Sequence, residues 1–375
     1  MSKKHKIFFK ILCPPLSLFL RLKLGYTYTK PKELPEQYIV LSNHNTDYDP
    51  ILVGVGFGKQ MYFVASEHIS RWKNAYKFIK FVFDPIMRYK GSVASSTVLD
   101  VLRKIRGGEN VCIFAEGARS WDGITNPILP STGKMIKSAK CALITYKIVG
   151  GYFASPNWST SNTRKGYLHG APVNIYTKEQ LEGMTVDEIN ECIKNDLYED
   201  AYARQLEDKK RYKGKNLAEK MENVLFVCPK CKKIDTIKSH GDTVSCTECD
   251  MSFTYDEYGM LHGIPYQTVK ELYAWEKDQV KEHAQQGVIY TAKEATLSTV
   301  KKHEETLLTQ GALTLSKEEL VCGDIKIPFS DISELAMHGR HALVFTANGV
   351  YYELIINESS NALKFALLYE AIKNQ

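Results

Sequence analysis

At 375 residues the chain is long enough for two or three domains, each with its own core. Hydrophobic residues make up 44% and charged residues 25%, which excludes wholesale disorder, and a net charge of +6 suits an anionic surface or substrate but is too weak by itself to indicate nucleic acid. Of the nine cysteines, four fall in two Cys-x-x-Cys pairs, a pattern that suits a reducing compartment and a metal site better than a disulfide framework.

The N-terminal stretch interleaves lysines with aromatic and aliphatic residues (Lys6-Ile7-Phe8-Phe9-Lys10-Ile11-Leu12). Its longest charge-free run, Ile11 to Leu20, is interrupted by Pro14-Pro15 and falls short of the ~20 apolar residues that a spanning helix needs. No small-residue cleavage site follows the basic start, and Arg21 and Lys23 intervene, which argues against a secretory signal. Residues 1–25 are therefore expected to lie in a lipid headgroup region as a monotopic anchor at the cytoplasmic face, with membrane lipids as partners. The alternative is a hydrophobic helix packed on the protein's own core.

From Tyr38 to about Ile175, apolar runs alternate with helical patterns. Strands are predicted at Tyr38–Leu41, Met61–Ala65, Val111–Phe114, Ala142–Val149 and Gly166–His169, and helices at Thr97–Ile105 and Gly133–Lys140. This alternation implies an α/β domain over residues 26–205, a mixed sheet flanked by helices.

Two segments at predicted strand ends carry chemistry, in the place where an α/β fold exposes its working residues. The first, Asn43-His44-Asn45-Thr46-Asp47-Tyr48-Asp49, sets a histidine and an aspartate five positions apart. Helical geometry would hold them ~140° apart, so contact requires a bent loop. Pro50 suits the first position of a following helix, with Asp49 as its N-cap. Simple capping is one reading of Asp49. The other is that it orients the His44 ring and leaves the far nitrogen to accept a proton. No serine or cysteine sits in a nucleophile-elbow context nearby, so His44 is expected to activate a substrate hydroxyl.

The second segment is Phe114-Ala115-Glu116-Gly117-Ala118-Arg119-Ser120. Gly117 lets a ligand approach the backbone, Arg119 offers a planar fork suited to phosphate, and Glu116 is placed to bind substrate hydroxyls or to position Arg119. The bland alternative is a turn with a local Glu–Arg ion pair.

Together these segments resemble the first and third blocks of the glycerolipid acyltransferases, the family of the bacterial 1-acyl-glycerol-3-phosphate acyltransferases. The third block of that family usually carries a proline where this chain has Ala115 and a threonine where it has Ala118. Phe83-Asp84-Pro85-Ile86-Met87-Arg88 is similar to the second block, which makes Arg88 a phosphate-binding candidate. Ala142–Val149 stands where the fourth block has prolines and has none, and Arg164–Pro172 resembles the closing strand; the resemblance spans about residues 25 to 205. It implies an O-acyltransferase that moves an acyl chain from acyl-CoA or acyl carrier protein to 1-acyl-sn-glycerol 3-phosphate, forming phosphatidic acid. His44 and Asp49 would be catalytic, Arg88, Glu116, Gly117 and Arg119 would bind substrate, and catalysis would need no cofactor. The alternatives are the same chemistry on glycerol 3-phosphate, a lysophospholipid or a lyso-aminolipid, or an inactive scaffold that binds partners.

Asp200 to Asn223 is highly charged and reads as an exposed helix or linker, assigned to residues 206–225. Cys228-x2-Cys231-x14-Cys246-x2-Cys249 is a zinc-ribbon spacing, with four thiolates for a structural Zn²⁺ in residues 226–262. Residues 263–304 read as a charged helical connector. From 305 onward period-two runs are punctuated by Gly311, Gly323, His338-Gly339 and Asn348-Gly349, and Ser360 is placed to cap a final helix. Residues 305–375 thus read as a small β-barrel-like module similar to the pleckstrin-homology fold, a candidate surface, like the ribbon, for a protein partner.

Overall fold

The computed structural model describes residues 3–66, 73–88, 94–159, 163–301, 304–357 and 360–375. Met1 and Ser2 of the expected anchor, and Lys302 and His303 of the expected connector, lie outside the described residues. The chain divides into two compact units, Met1–Asn157 with Asn162–Gly214, and Trp158–Ser161 with Lys215–Gln375.

In chain order, the first unit contains α1 (Lys3–Leu24), β1 (Tyr26–Tyr28), β2 (Tyr38–Ser42), α2 (Asp49–Phe57), β3 (Tyr62–Ser66), α3 (Lys73–Phe83), β4 (Ile86–Arg88) and α4 (Ala94–Arg106). It continues with β5 (Val111–Phe114), α5 (Ser131–Ala139), β6 (Ala142–Val149), α6 (Gly151–Ala154), β7 (Leu168–Tyr176), α7 (Lys178–Gly183), α8 (Val186–Leu197) and α9 (Ala201–Asp208). One seven-stranded sheet in the order β1-β7-β6-β2-β5-β3-β4 organises the unit. All pairings are parallel except β6 with β7, so the sheet is mixed.

Central strand β2 shows why this arrangement is stable. Its residues point alternately into two cores: Tyr38 and Val40 join Phe9, Leu52, Val55 and Tyr146 on one face, while Ile39 and Leu41 join Val101, Ile105, Ile136 and Ile189 on the other. A strand covered on both faces reads as an unbroken apolar run, which is what Tyr-Ile-Val-Leu is. Below the start of α2, the Tyr26 hydroxyl donates to Leu52 O at 2.8 Å and lies 3.1 Å from the Tyr146 hydroxyl. Gly56 permits this approach, because a Cβ there would sit 2.3 Å from the Tyr146 oxygen.

Helix α1 turns two faces outward and inward. Phe9, Leu20 and Leu24 are buried, whereas Ile7, Ile11, Leu18 and Leu22 are exposed. At 100° per residue those four fall within an arc of about 60°. Exposed Phe8 and Phe81 extend this apolar strip onto α3, their rings 5.1 Å apart. No helix among the described residues is long and apolar enough to cross a membrane. The segment 206–225 is not an open linker: Tyr212, Leu217, Ala218 and Met221 are buried, and Tyr212 donates to Tyr167 O at 2.9 Å.

The second unit begins with an antiparallel four-stranded sheet, β8 (Ile237–His240), β9 (Thr243–Cys246), β10 (Ser252–Tyr255) and β11 (Leu261–His262), around the four paired cysteines. Helix α10 (Val269–Gln286) follows, started by a Thr268/Glu271 capping box and closed by Gly287. Seven antiparallel strands then curl into a half-barrel: β12 (Tyr290–Lys301), β13 (Glu304–Leu315), β14 (Glu319–Cys322), β15 (Ile325–Pro328), β16 (Ile332–His338), β17 (Ala342–Ala347) and β18 (Val350–Ile356), with α11 (Leu363–Lys373) against it.

Three expectations are corrected here. The helical connector ends at Gln286, and residues 290–301 are strand β12, whose alternation is interrupted by a bulge between Ala292 and Ala295 where Lys293 and Glu294 sit exposed. Gly311 is no turn; it lies inside β13, where a Cβ would meet Gly323 Cα at 2.8 Å. The acceptor at the start of α11 is Asn361, whose Oδ1 takes the Lys364 N–H at 2.9 Å, in place of Ser360. By contrast Asn348-Gly349 closes the β17–β18 hairpin with both residues at positive φ, as a type I′ turn requires.

Candidate active site

Strands β2, β5, β3 and β4 run parallel and end together: Ser42 is level with Phe114, and Ser66 with Arg88. Both chemistry-bearing loops therefore leave the same edge of the sheet. The first is fixed at its root by Asn43, whose side chain both donates to Ile148 O and accepts from Ile148 N, each at 2.8 Å.

The loop then bends so that the His44 Nδ1 lies 2.8 Å from Asp49 Oδ2. Asp49 is fully buried and accepts three further hydrogen bonds, from Asn45 N at 2.6 Å, Thr46 N at 2.9 Å and the Thr46 hydroxyl at 2.6 Å. Tyr48, not Asp49, is the N-cap of α2; Asp49 is its first residue and its carboxylate faces back into the loop. Capping alone therefore does not describe it. A carboxylate so supplied with donors only accepts, which assigns the proton to Nδ1 and leaves the Nε2 lone pair of His44 available. The ring stacks on Phe114, centroids 4.7 Å apart, and the side chain retains 23% exposure, enough to meet a substrate.

Glu116 is a structural partner of that ring's backbone. One of its oxygens accepts His44 N at 2.7 Å and the other accepts Asn126 N at 2.6 Å. Burial pushes its carboxyl up to about 8, against the pull of those two N–H groups toward the charged form. Gly117 turns the chain at φ 71°, and a Cβ on it would meet nothing within 4 Å, so the loop tip borders open space.

Arg119 departs most from its expected role. It is buried, and its fork is spent on the protein: Nε donates to Asn45 O at 2.9 Å, one terminal nitrogen donates to Ser155 O, and the other lies 3.1 Å from Asp47 Oδ1. It braces the His44 loop instead of standing open toward an anion. Nor does it form the local ion pair with Glu116 that a simple turn would suggest. Arg88 is exposed at the end of β4, three strand spacings from β2, or about 14 Å at ~4.8 Å per strand.

Thr46 and Asn43 hold the His44 loop in this shape, and the sequence alone does not single them out. The signal was present for Thr46, a hydroxyl three residues before a carboxylate, which suits the Thr46–Asp49 contact.

Residues 25–149 match the Acyltransferase family. The match covers the α/β unit from the residue before β1 to the end of β6. That segment holds His44, Asp49, Arg88, Glu116 and Arg119, and the whole second unit lies outside it. Among solved structures the chain is similar to the 1-acyl-sn-glycerophosphate (LPA) acyltransferase PlsC from Thermotoga maritima, with 18% identity over 50% of this chain and 78% of that one and a TM-score of 0.41. No curated protein matches.

In the second unit the sulfurs of Cys228, Cys231, Cys246 and Cys249 all lie within 4.8 Å of one another. Cys228 and Cys249 are 3.7 Å apart, and Cys231 and Cys246 3.8 Å. A tetrahedron with ~2.3 Å metal–sulfur bonds has edges of about 3.8 Å, so this donor set fits a four-thiolate metal site with no position left for substrate.

Proposed function

We propose that this chain is a membrane-associated O-acyltransferase that moves an acyl group from acyl-CoA or acyl carrier protein to the free hydroxyl of 1-acyl-sn-glycerol 3-phosphate, yielding phosphatidic acid. The observation that carries this reading is the buried, four-donor Asp49 bonded to a partly exposed His44 at the end of β2, within a segment that matches the Acyltransferase family.

In this reading His44 Nε2 takes the acceptor's hydroxyl proton as that oxygen attacks the thioester carbonyl. The tetrahedral intermediate collapses with rupture of the C–S bond, and the imidazolium returns the proton to the departing thiolate. Asp49 holds the tautomer and balances the imidazolium's charge. Glu116 and Arg119 fix the loop that carries the base, and Arg88, at the same sheet edge, is the residue offered to the acceptor phosphate. The exposed apolar strip of α1 with Phe81 is the surface that would enter the lipid headgroup region, bringing the site to substrates that reside there. Zn²⁺ is the metal proposed for the four cysteines, on their tetrahedral all-thiolate geometry.

The test is turnover of acyl-CoA and 1-acylglycerol 3-phosphate by the purified chain against His44→Ala, over a panel of acceptors. Loss of turnover in the variant is expected. No turnover by the native chain with any donor and acceptor would refute the enzymatic reading.

A further inference from the structure

The second unit raises a question that the acyltransferase chemistry leaves open: what the four-cysteine site does for the β module that follows it. Three contacts converge on the base of the first cysteine knuckle. Residues on either side of that knuckle pair with each other, Val227 bridging Ile234 and Asp235 N donating to Phe226 O at 2.8 Å.

From α10, Glu276 reaches the incoming side of this pair. It is fully buried, and one of its oxygens accepts both Phe226 N at 2.6 Å and Val227 N at 2.7 Å, the two N–H groups that immediately precede Cys228. From α11, Lys364 reaches the outgoing side. Its fully buried ammonium pairs with Asp235 and also donates to Thr291 O of β12 at 2.6 Å. Asn361, at the start of the same helix, donates to Glu222 O at 2.7 Å. Phe226 and Val227 themselves belong to the same apolar core as Tyr290, Leu297, Phe345 and Phe365.

A fully buried polar or charged group costs several kcal/mol unless it is partnered, and both Glu276, through one carboxyl oxygen, and the Lys364 ammonium find partners among the few residues that flank the knuckle. We propose that metal binding at Cys228, Cys231, Cys246 and Cys249 organises the C-terminal half-barrel through the base of the first knuckle, so that the ribbon is the keystone of its unit. The cysteines hold the metal, the metal closes the knuckle, and the closed knuckle presents Phe226 N, Val227 N and the Asp235 carboxylate at the positions where α10 and α11 need them. Coupling of this kind is reciprocal: a change in the half-barrel's grip on the knuckle changes metal affinity by the same factor.

The experiment uses the full chain. Metal is stripped with a chelator, its removal is verified by elemental analysis, and amide hydrogen exchange is mapped by mass spectrometry before and after, with Zn²⁺ as the probe ion for reconstitution. Protection is expected to fall in residues 224–235, α10, β12 and α11, to remain in β2, β5 and β6, and to return with Zn²⁺. Lys364→Met supplies the second arm, since it removes the buried charge, keeps the cysteines, and leaves Asp235 with 42% exposure to water. It is expected to weaken Zn²⁺ binding about tenfold, within the ~5–150-fold range usual for coupled sites. Unchanged protection of β12 and α11 in metal-free protein overturns the proposal, and so does a Lys364→Met variant that binds Zn²⁺ as tightly as the native chain.

Discussion

Replacing Asp49 with asparagine separates the charge of the His44–Asp49 pair from its geometry. In the native loop Oδ2 accepts from His44 Nδ1, Asn45 N and Thr46 N, while Oδ1 accepts from the Thr46 hydroxyl. An asparagine has one orientation that preserves the crowded side: its oxygen replaces Oδ2 and its amide takes the Oδ1 position, donating to Thr46 Oγ1. Fold and ring orientation then survive while the negative charge is lost. Unit charges about 4 Å apart at an effective dielectric near 20 interact by about 4 kcal/mol, which corresponds to roughly a thousandfold in rate if the charge acts on the imidazolium formed in the transition state. Asp49→Asn is therefore expected to lower kcat about a thousandfold with the acceptor KM nearly unchanged and the melting temperature within a few degrees of native. Steady-state kinetics with acyl-CoA and 1-acylglycerol 3-phosphate, paired with a thermal melt, reads all three. A kcat within tenfold of native would mean that the Asp49 charge does not assist the base. A loss confined to KM would place Asp49 in substrate binding.

The two arginines should respond in opposite ways. Arg119→Ala removes a buried fork from Asn45 O, Ser155 O and Asp47, so it should cost about 3 kcal/mol of stability and lower kcat. Arg88→Ala should leave the melt unchanged and raise the acceptor KM about tenfold or more, as expected for a lost charge-assisted phosphate contact; the reverse pattern would exchange their roles. Ile11→Glu with Leu18→Glu places two charges in the exposed strip of α1 and should move the protein off anionic vesicles in a flotation assay, and undiminished flotation would show that another surface binds lipid. Burial raises Glu276 to about 8 from an ordinary carboxylate value of 4.5, so the folded unit holds more protons than the unfolded chain between those pH values and loses stability as pH rises. Glu276→Gln keeps an oxygen for Phe226 N and Val227 N. It should flatten that slope by up to ~1.4 kcal/mol per pH unit and raise stability at pH 9, and a denaturant melt series with parallel slopes would contradict this.

How much of this was legible in sequence varied with how local the cause was. Strands β5 and β6 match their apolar runs residue for residue, and β2 extends only to Ser42, because a strand buried on both faces leaves an unbroken hydrophobic signal. The bend between His44 and Asp49 was legible too, since five helical positions cannot bring the pair into contact and the structure uses a loop. Strand β12 was hidden because its bulge places Lys293 and Glu294 side by side, and two adjacent charges after a helix continue to look helical. Once past the bulge, Ala295, Leu297 and Val300 carry the buried face, against exposed or half-exposed neighbours.

Arg119 marks a different boundary. A guanidinium beside a catalytic loop has the same one-dimensional appearance whether its fork faces ligand or backbone; only the fold brings Ser155 O and Asn45 O to it. The same holds for Glu116, which sequence pairs with substrate or with Arg119 and structure pairs with His44 N and Asn126 N. These two ionisable residues are buried where an unpartnered polar group would be costly, and each takes part of its hydrogen bonding from the loop that carries His44. The consequence is mechanical. The second motif holds the first in place, so the conformation that aims His44 Nε2 outward is determined jointly by residues 43–49 and 116–119. Substitutions in the second motif should thus reach the chemistry through the position of His44, before any contact with substrate is considered.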